Sequence, residues 1–159
     1  MWTRCILLAL VTLLSASAVS AQMPNSYGAP IALDAATKAA AAAAAEARKN
    51  KWTMAIAVVD AAGDLVFFQK MDGTQTGSVN VAIDKARSAA LFKRPTKAFQ
   101  DTLAAGGDGL RVLALHGALP VEGGTPLLVN GQIVGAIGVS GGTAQQDGQC
   151  AQAGAAGLQ

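Results

Sequence analysis

The clearest pattern along the chain is an alternation of apolar runs with different periods. Residues 33–49, LDAATKAAAAAAAEARK, are almost all strong helix formers, so they predict a helix whose thin alanine surface lets it lie close to a sheet. Asp34 is placed to cap its amino end by accepting free backbone N–H bonds, and Asn50 to close it in the left-handed conformation. Next come TMAIAVVD (53–60) and LVFFQKM (65–71), β-rich runs joined by a Gly-containing connection of hairpin length. In the first strand both alternating sets, Met54/Ile56/Val58 and Ala55/Ala57/Val59, are apolar or small. A sheet with one wet face would alternate apolar with polar, so both faces should be covered, by helices or by another subunit.

After MDGTQTGS the period changes again. Val79, Ile83, Ala86 and Ala90, with Ala82, form a core-facing stripe on a helix over about 76–92. Asp84 and Arg87 are three apart on one flank and read as a solvated pair, while Lys85 projects from the other flank with no helical partner. Arg94-Pro95 ends that helix, and a short one follows, stopped by Gly106. The segment LRVLALHGALPVEGGT is long for a structureless connection, which makes it a candidate for function; a short extended piece is expected near 112–115.

The run TPLLVNGQIVGAIGVS is a hairpin, because Asn130-Gly131 is the preferred pair for a two-residue type I′ turn between aliphatic strands. Gly135 and Gly138, at odd spacing, leave gaps on opposite faces of the last strand, open to a helix backbone or to a flat ligand. Residues 143–158 suit a closing helix, with Thr143 and Gln146 at the capping-box spacing. The pair Gly141-Gly142 therefore stands at a strand-to-helix turn. It is first a bend; the free N–H groups that follow also favour an anion. GAIGVSG is not the dinucleotide fingerprint, and no Walker lysine follows.

Composition narrows the classes. Residues 1–21 carry one charge, Arg4, an apolar stretch and small residues before Gln22, the pattern of a secretory signal peptide too short to span a bilayer. Residues 22–30 read as a flexible lead, and 31–159 as one domain. Of 159 residues, removing 21 leaves 138, enough for one core. Without Arg4 the 12 basic residues become 11 against 10 acids, no electrostatic footprint for nucleic acid. The expected location is periplasmic or secreted, with no membrane attachment after cleavage. Cys5 leaves with the leader, so Cys150 has no internal partner and is expected as a partly buried thiol or an intermolecular bridge.

Chemistry has few places to sit. His116 is the sole histidine, so a nucleophile-and-base pair would depend on it, and nothing in the spacing selects a nucleophile. One His and one Cys cannot fill the usual structural zinc sets. A haem needs less: one or two axial ligands, an apolar slot, and cations or amides for its propionates. His116 and Met71 are candidate iron ligands, and Lys85 a candidate propionate partner. Each has a plainer reading: a loop histidine that binds nothing, a core methionine, a solvated lysine.

In order, AIAVVDAAGDLVFFQKMDG, AIDKARSAALFKRPT and EGGTPLLVNGQIVGAIGVSGGTAQQD resemble the GlcG/HbpS-like family, which includes the C-terminal domain of PduO-type corrinoid adenosyltransferases. The resemblance spans about 31–158 and is carried by V-D-x-x-G-x-L, M-D-G, K-A-R and G-A-I-G-V-S-G-G. It implies an α/β (α+β) domain, profilin-like, with a central antiparallel sheet of about four to five strands, helices around it, and assembly into homo-oligomers. It also implies haem binding, with an exported relative linked to haem sensing and iron handling. Met71, Asp72, Lys85, Gly123, Gly124, Gly141 and Gly142 match by motif as pocket-lining positions. The chain departs from the family at two points: the histidine attributed to haem binding in the first helix of the PduO-type domain is missing from 33–49, as is the E-x-x-E iron motif. His116 is then the candidate metal ligand.

The expectation is an exported haem-binding protein, a carrier or sensor accessory. Two rivals stand beside it. One is an enzyme or enzyme subunit acting on a small carboxylate, with Lys85 or Asp72 as acid or base; the other is an oligomeric interaction module without a ligand.

Overall fold

The computed structural model describes residues 25–159. The signal peptide expected over 1–21 lies outside the described residues. The elements run α1 (Leu33–Lys49), β1 (Ala55–Asp60), β2 (Leu65–Lys70), α2 (Ser78–Leu91), α3 (Thr96–Ala104), a 3-10 segment (Gly107–Ala114), β3 (Gly124–Val129), β4 (Gln132–Ser140) and α4 (Ala144–Ala156). The four strands form one antiparallel sheet in the order β2-β1-β4-β3. Among the described residues no helix is long and apolar enough to cross a membrane.

The two apolar sets of β1 part as their alternation dictates. Met54, Ile56 and Val58 join a core under α1 and α4, with Leu127, Ile137 and Val139 from β3 and β4. Ala55, Ala57 and Val59 join a second core under α2, with Ala136 and the helix alanines Ala82, Ala86, Ala89 and Ala90. The sheet is thus a middle layer, covered by helices on both faces. Small residues dominate the α2 side, and this lets the helix backbone come close. A β-carbon at Gly138 would fall against the Ala82 carbonyl and stand 3.0 Å from Ala86 Cβ. Gly135 opens to the other face, where Val59 carbonyl and Ile31 fill the gap. Both gaps are closed by the chain itself.

Turn chemistry sets the register. Asn130 and Gly131 have φ of +50° and +74°, as a type I′ turn requires. Pro126 sits in β3, an edge strand, where its missing N–H costs least. Thr143 and Gln146 form a reciprocal capping box at the start of α4.

Several local expectations are corrected. The first helix is capped by Ala32 without a side-chain bond, and Asp34 lies inside the first turn, where its charge suits the helix dipole. Asn50 is not left-handed; Lys51 is, at φ +58°, while the Asn50 amide donates to the Glu46 carbonyl at 2.8 Å. Residues 112–115 are not extended: most of that stretch is 3-10 helix. The buried stripe of α2 also differs. Val79 and Ile83 are half-buried, whereas Ser78, Lys85 and Ser88 are buried.

The lead is held from residue 26 on. Ile133 N–H donates to the Ser26 carbonyl and Gly28 N–H to the Ile133 carbonyl, both at 2.9 Å. The Tyr27 hydroxyl donates to the Ala90 carbonyl at 2.9 Å, and Lys93 stacks on its ring at 4.2 Å. This strap lies where β1 has already left β4, since β1 pairs with β4 only as far as Gly135. The strap thereby pairs the backbone groups of Ile133 that β1 leaves free.

Candidate functional site

The sequence places eight residues in a site, and the fold distributes them over three places. Met71 and Asp72 follow β2 and line an open depression of about 360 Å³ with Arg48, Gln69 and Lys70. That volume is at the small end of ligand pockets. Met71 is half-buried and packs against the α1/α4 core. Its N–H donates to the Met54 carbonyl at 2.9 Å, which fixes the end of the strand. Arg48 comes from the last turn of α1 and Lys70 ends β2. Both are exposed, and neither takes part in the ion pairs found among the described residues, which are Glu46–Lys49, Lys85–Asp147, Lys97–Asp101 and Asp108–Arg111.

Lys85, Gly123, Gly124, Gly141 and Gly142 meet in a second place, around Asp147. Lys85 does not project into solvent; its side chain is 1% exposed. Its ammonium donates to Asp147 Oδ2 at 2.7 Å and to the Val139 carbonyl at 3.1 Å. Asp147 Oδ1 in turn accepts the Gly142 N–H at 3.0 Å. The helix amino terminus that could hold a foreign anion therefore holds a carboxylate of its own chain. Burial pushes the Asp147 carboxyl above its usual range, against the opposing pull of Lys85 and the Gly142 amide.

The glycines of this place are close-packed. A β-carbon at Gly123 would stand 2.7 Å from the Val139 carbonyl and 2.8 Å from Lys85 Nζ; one at Gly124 would strike the Lys85 carbonyl and stand 2.6 Å from Thr96 Cγ2. At Gly141 it would strike the Thr53 carbonyl and approach Met54 Sδ to 2.9 Å. These glycines admit backbone and the Lys85–Asp147 pair.

His116 occupies a third place. It is exposed, between the 3-10 segment and β3, on a loop tied to α2 by the Leu119 N–H donating to Ser88 Oγ at 3.0 Å. Leu110, Leu113 and Leu115 beside it are also exposed. Met71 follows one edge strand, β2, and His116 lies on the loop that precedes the other, β3. Among the described residues no three of His, Cys, Asp and Glu gather into a metal site.

Asp147, Arg48 and Lys70 are absent from the residues singled out in the sequence. Asp147 left a faint signal, as the one acid in a helix otherwise of Ala, Gln, Gly and Cys, opposite a lysine lacking a helical partner. Arg48 and Lys70 left none, because the end of a helix and the end of a strand are joined here only by tertiary packing.

An antiparallel sheet between α2 on one face and α1 with α4 on the other, with a small open depression at one end of its edge strand, defines an α+β domain of the sandwiched-sheet class. The family described as "Haem degrading protein HbpS-like" matches residues 31–156, and the chain belongs to that family. It is 42% identical over 100 residues to Protein GlcG of Escherichia coli (strain K12), covering 63% of this chain and 73% of that protein. A solved double mutant of Streptomyces reticuli HbpS superposes with a TM-score of 0.76 at 30% identity, covering 99% of each chain. A structure described as the PduOC:heme complex superposes at 0.72 with 25% identity, over 80% of this chain and 94% of that one.

Proposed function

We propose that this chain is an exported haem-binding protein that serves as a haem carrier or sensor accessory. The observation that carries the reading is the match of residues 31–156 to the HbpS-like family; of the two candidate iron ligands, Met71 lines an open depression with mostly polar walls. A methionine thioether is an accepted axial ligand of haem iron. The family description and the haem complex of the PduO-type relative support haem as the planar ligand. When bound, haem supplies a redox-active iron. The chain supplies the thioether of Met71, the firm strand end behind it, and the polar rim with Asp72.

His116 lies on the loop before the opposite edge strand and is not among the residues that line the Met71 depression. The exposed leucines around His116 support a homo-oligomer in which that loop is covered, and the leader-like residues 1–21 support export to the periplasm or medium.

Titrating the purified chain with hemin and reading the Soret band tests the function. A saturable shift is expected, with its position altered by Met71→Ala. A spectrum equal to that of free hemin overturns the reading. A shift lost in His116→Ala and untouched in Met71→Ala moves the iron to the other edge.

A further inference from the structure

The sheet has two outer strands, and the chain treats them differently. β3 carries Pro126 and is tied to α3, where the Gly124 N–H donates to Thr96 Oγ1 at 2.9 Å. β2 has neither device. No proline lies in Leu65–Lys70, and among the described residues the backbone of that stretch bonds only to β1, so its outward amides and carbonyls have no partner in the chain. Such a row is satisfied by water or by another strand.

The side chains of β2 are those of an interior. Leu65, Val66, Phe67 and Phe68 are β-prone; Leu65 is exposed and both phenylalanines are half-buried. On the α2 face the core is built from β1, β4 and the helix, and Phe68 joins it only at the margin. Apolar surface of β2 thus runs past the layer that covers its neighbours.

We propose that β2 pairs antiparallel with β2 of a second copy, joining two four-stranded sheets about a two-fold axis. This inference stands apart from the haem reading. Charge selects the occupant. Asp64 precedes the strand and Lys70 ends it; both are exposed, and neither takes part in the ion pairs found among the described residues. A strand that begins acidic and ends basic is complementary to a reversed copy of itself, and a two-fold axis supplies that reversal. Each Asp64 then approaches Lys70 of the second copy, with apolar side chains meeting between them; Asp72 falls beyond the paired stretch. A parallel copy would set like charges side by side. The bulge at Val66, the residue that β2 has in excess of β1, twists the edge and interrupts its ladder, so the contact leans on the two ion pairs.

Sedimentation velocity of the purified chain over a concentration series, with hydrogen exchange of the β2 amides, tests the contact. The native chain should associate, and the amides of residues 65–70 should gain protection as it does. Lys70→Asp or Asp64→Lys sets like charges together and should weaken association at least tenfold. The double variant exchanges the signs and should restore it. Both residues are exposed, so far-UV circular dichroism and melting temperature should stay at the native values. Salt should weaken the native pair and strengthen the single variants. A chain that stays monomeric at every concentration, single reversals that change nothing, or a double variant no tighter than the singles overturns the proposal. Association that leaves the β2 amides exchanging freely, or that is lost in Leu113→Gln and untouched by the charge reversals, assigns the contact to the His116 loop and overturns it as well.

Discussion

Lys85 Nζ and Asp147 Oδ2, 62 residues apart in sequence, lie 2.7 Å apart in the interior. The pair joins α2 to α4 past the end of the sheet. Removing one member leaves a buried charge without its partner, at a cost of about 3–5 kcal/mol, while replacing both by apolar groups of similar size is often neutral or better. Lys85→Met and Asp147→Leu should each lower the urea midpoint sharply, and the double variant should recover most of the loss. Additive losses would show that the two residues act separately.

The same pair predicts a pH dependence. Burial raises the Asp147 carboxyl above 3.8, so the folded chain holds this proton more tightly than the unfolded chain does. Its contribution to stability is complete below 3.8 and is lost as pH rises through the raised folded value. Relative to Asp147→Asn, the native chain should therefore lose stability as pH climbs through that window and then level off. Denaturant titrations of both proteins at a series of pH values give the slope; a difference that grows with pH contradicts the assignment.

Gly138 and Gly77 should respond oppositely to alanine. At Gly138 a methyl group meets the α2 backbone at Ala82 and Ala86, an overpacking that costs about 1–3 kcal/mol. At Gly77, with φ −61° and ψ −24°, it meets nothing within 4 Å, so the stiffer unfolded chain should gain about 0.4–1 kcal/mol. Thermal melts of the two variants measure both effects.

Cys150 is fully buried, and desolvation pushes its thiol up to about 11. The nucleophilic thiolate is scarce at neutral pH. A thiol reagent should leave the Cys150 peptide unlabelled in the native protein and label it fully in denaturant. Rapid native labelling would place this thiol at the surface.

The alternating runs of β1, the Asn130-Gly131 turn and the Thr143/Gln146 box were legible because each is fixed by neighbours within a few residues. Lys85 was not. Its helical neighbours offer no partner, and the carboxylate that justifies its burial comes from the last helix. The depression around Met71 shows the same limit, since Arg48 reaches it from α1 and Lys70 from β2. Residues 107–114 failed for a different reason: a glycine-rich stretch with scattered leucines has no period to separate a 3-10 turn from an extended piece. Met71 entered as a candidate iron ligand and Asp72 through motif resemblance, and the fold keeps them together because they are adjacent in the chain.

The strap at 26–28 covers the stretch of β4 that its neighbour abandons. Without it, the bare amide and carbonyl of Ile133 would form a ready template for a strand from another molecule, the usual start of sheet-to-sheet aggregation. This short segment thus acts as a built-in guard for solubility, and changes that disturb it should be judged by turbidity as much as by ligand uptake.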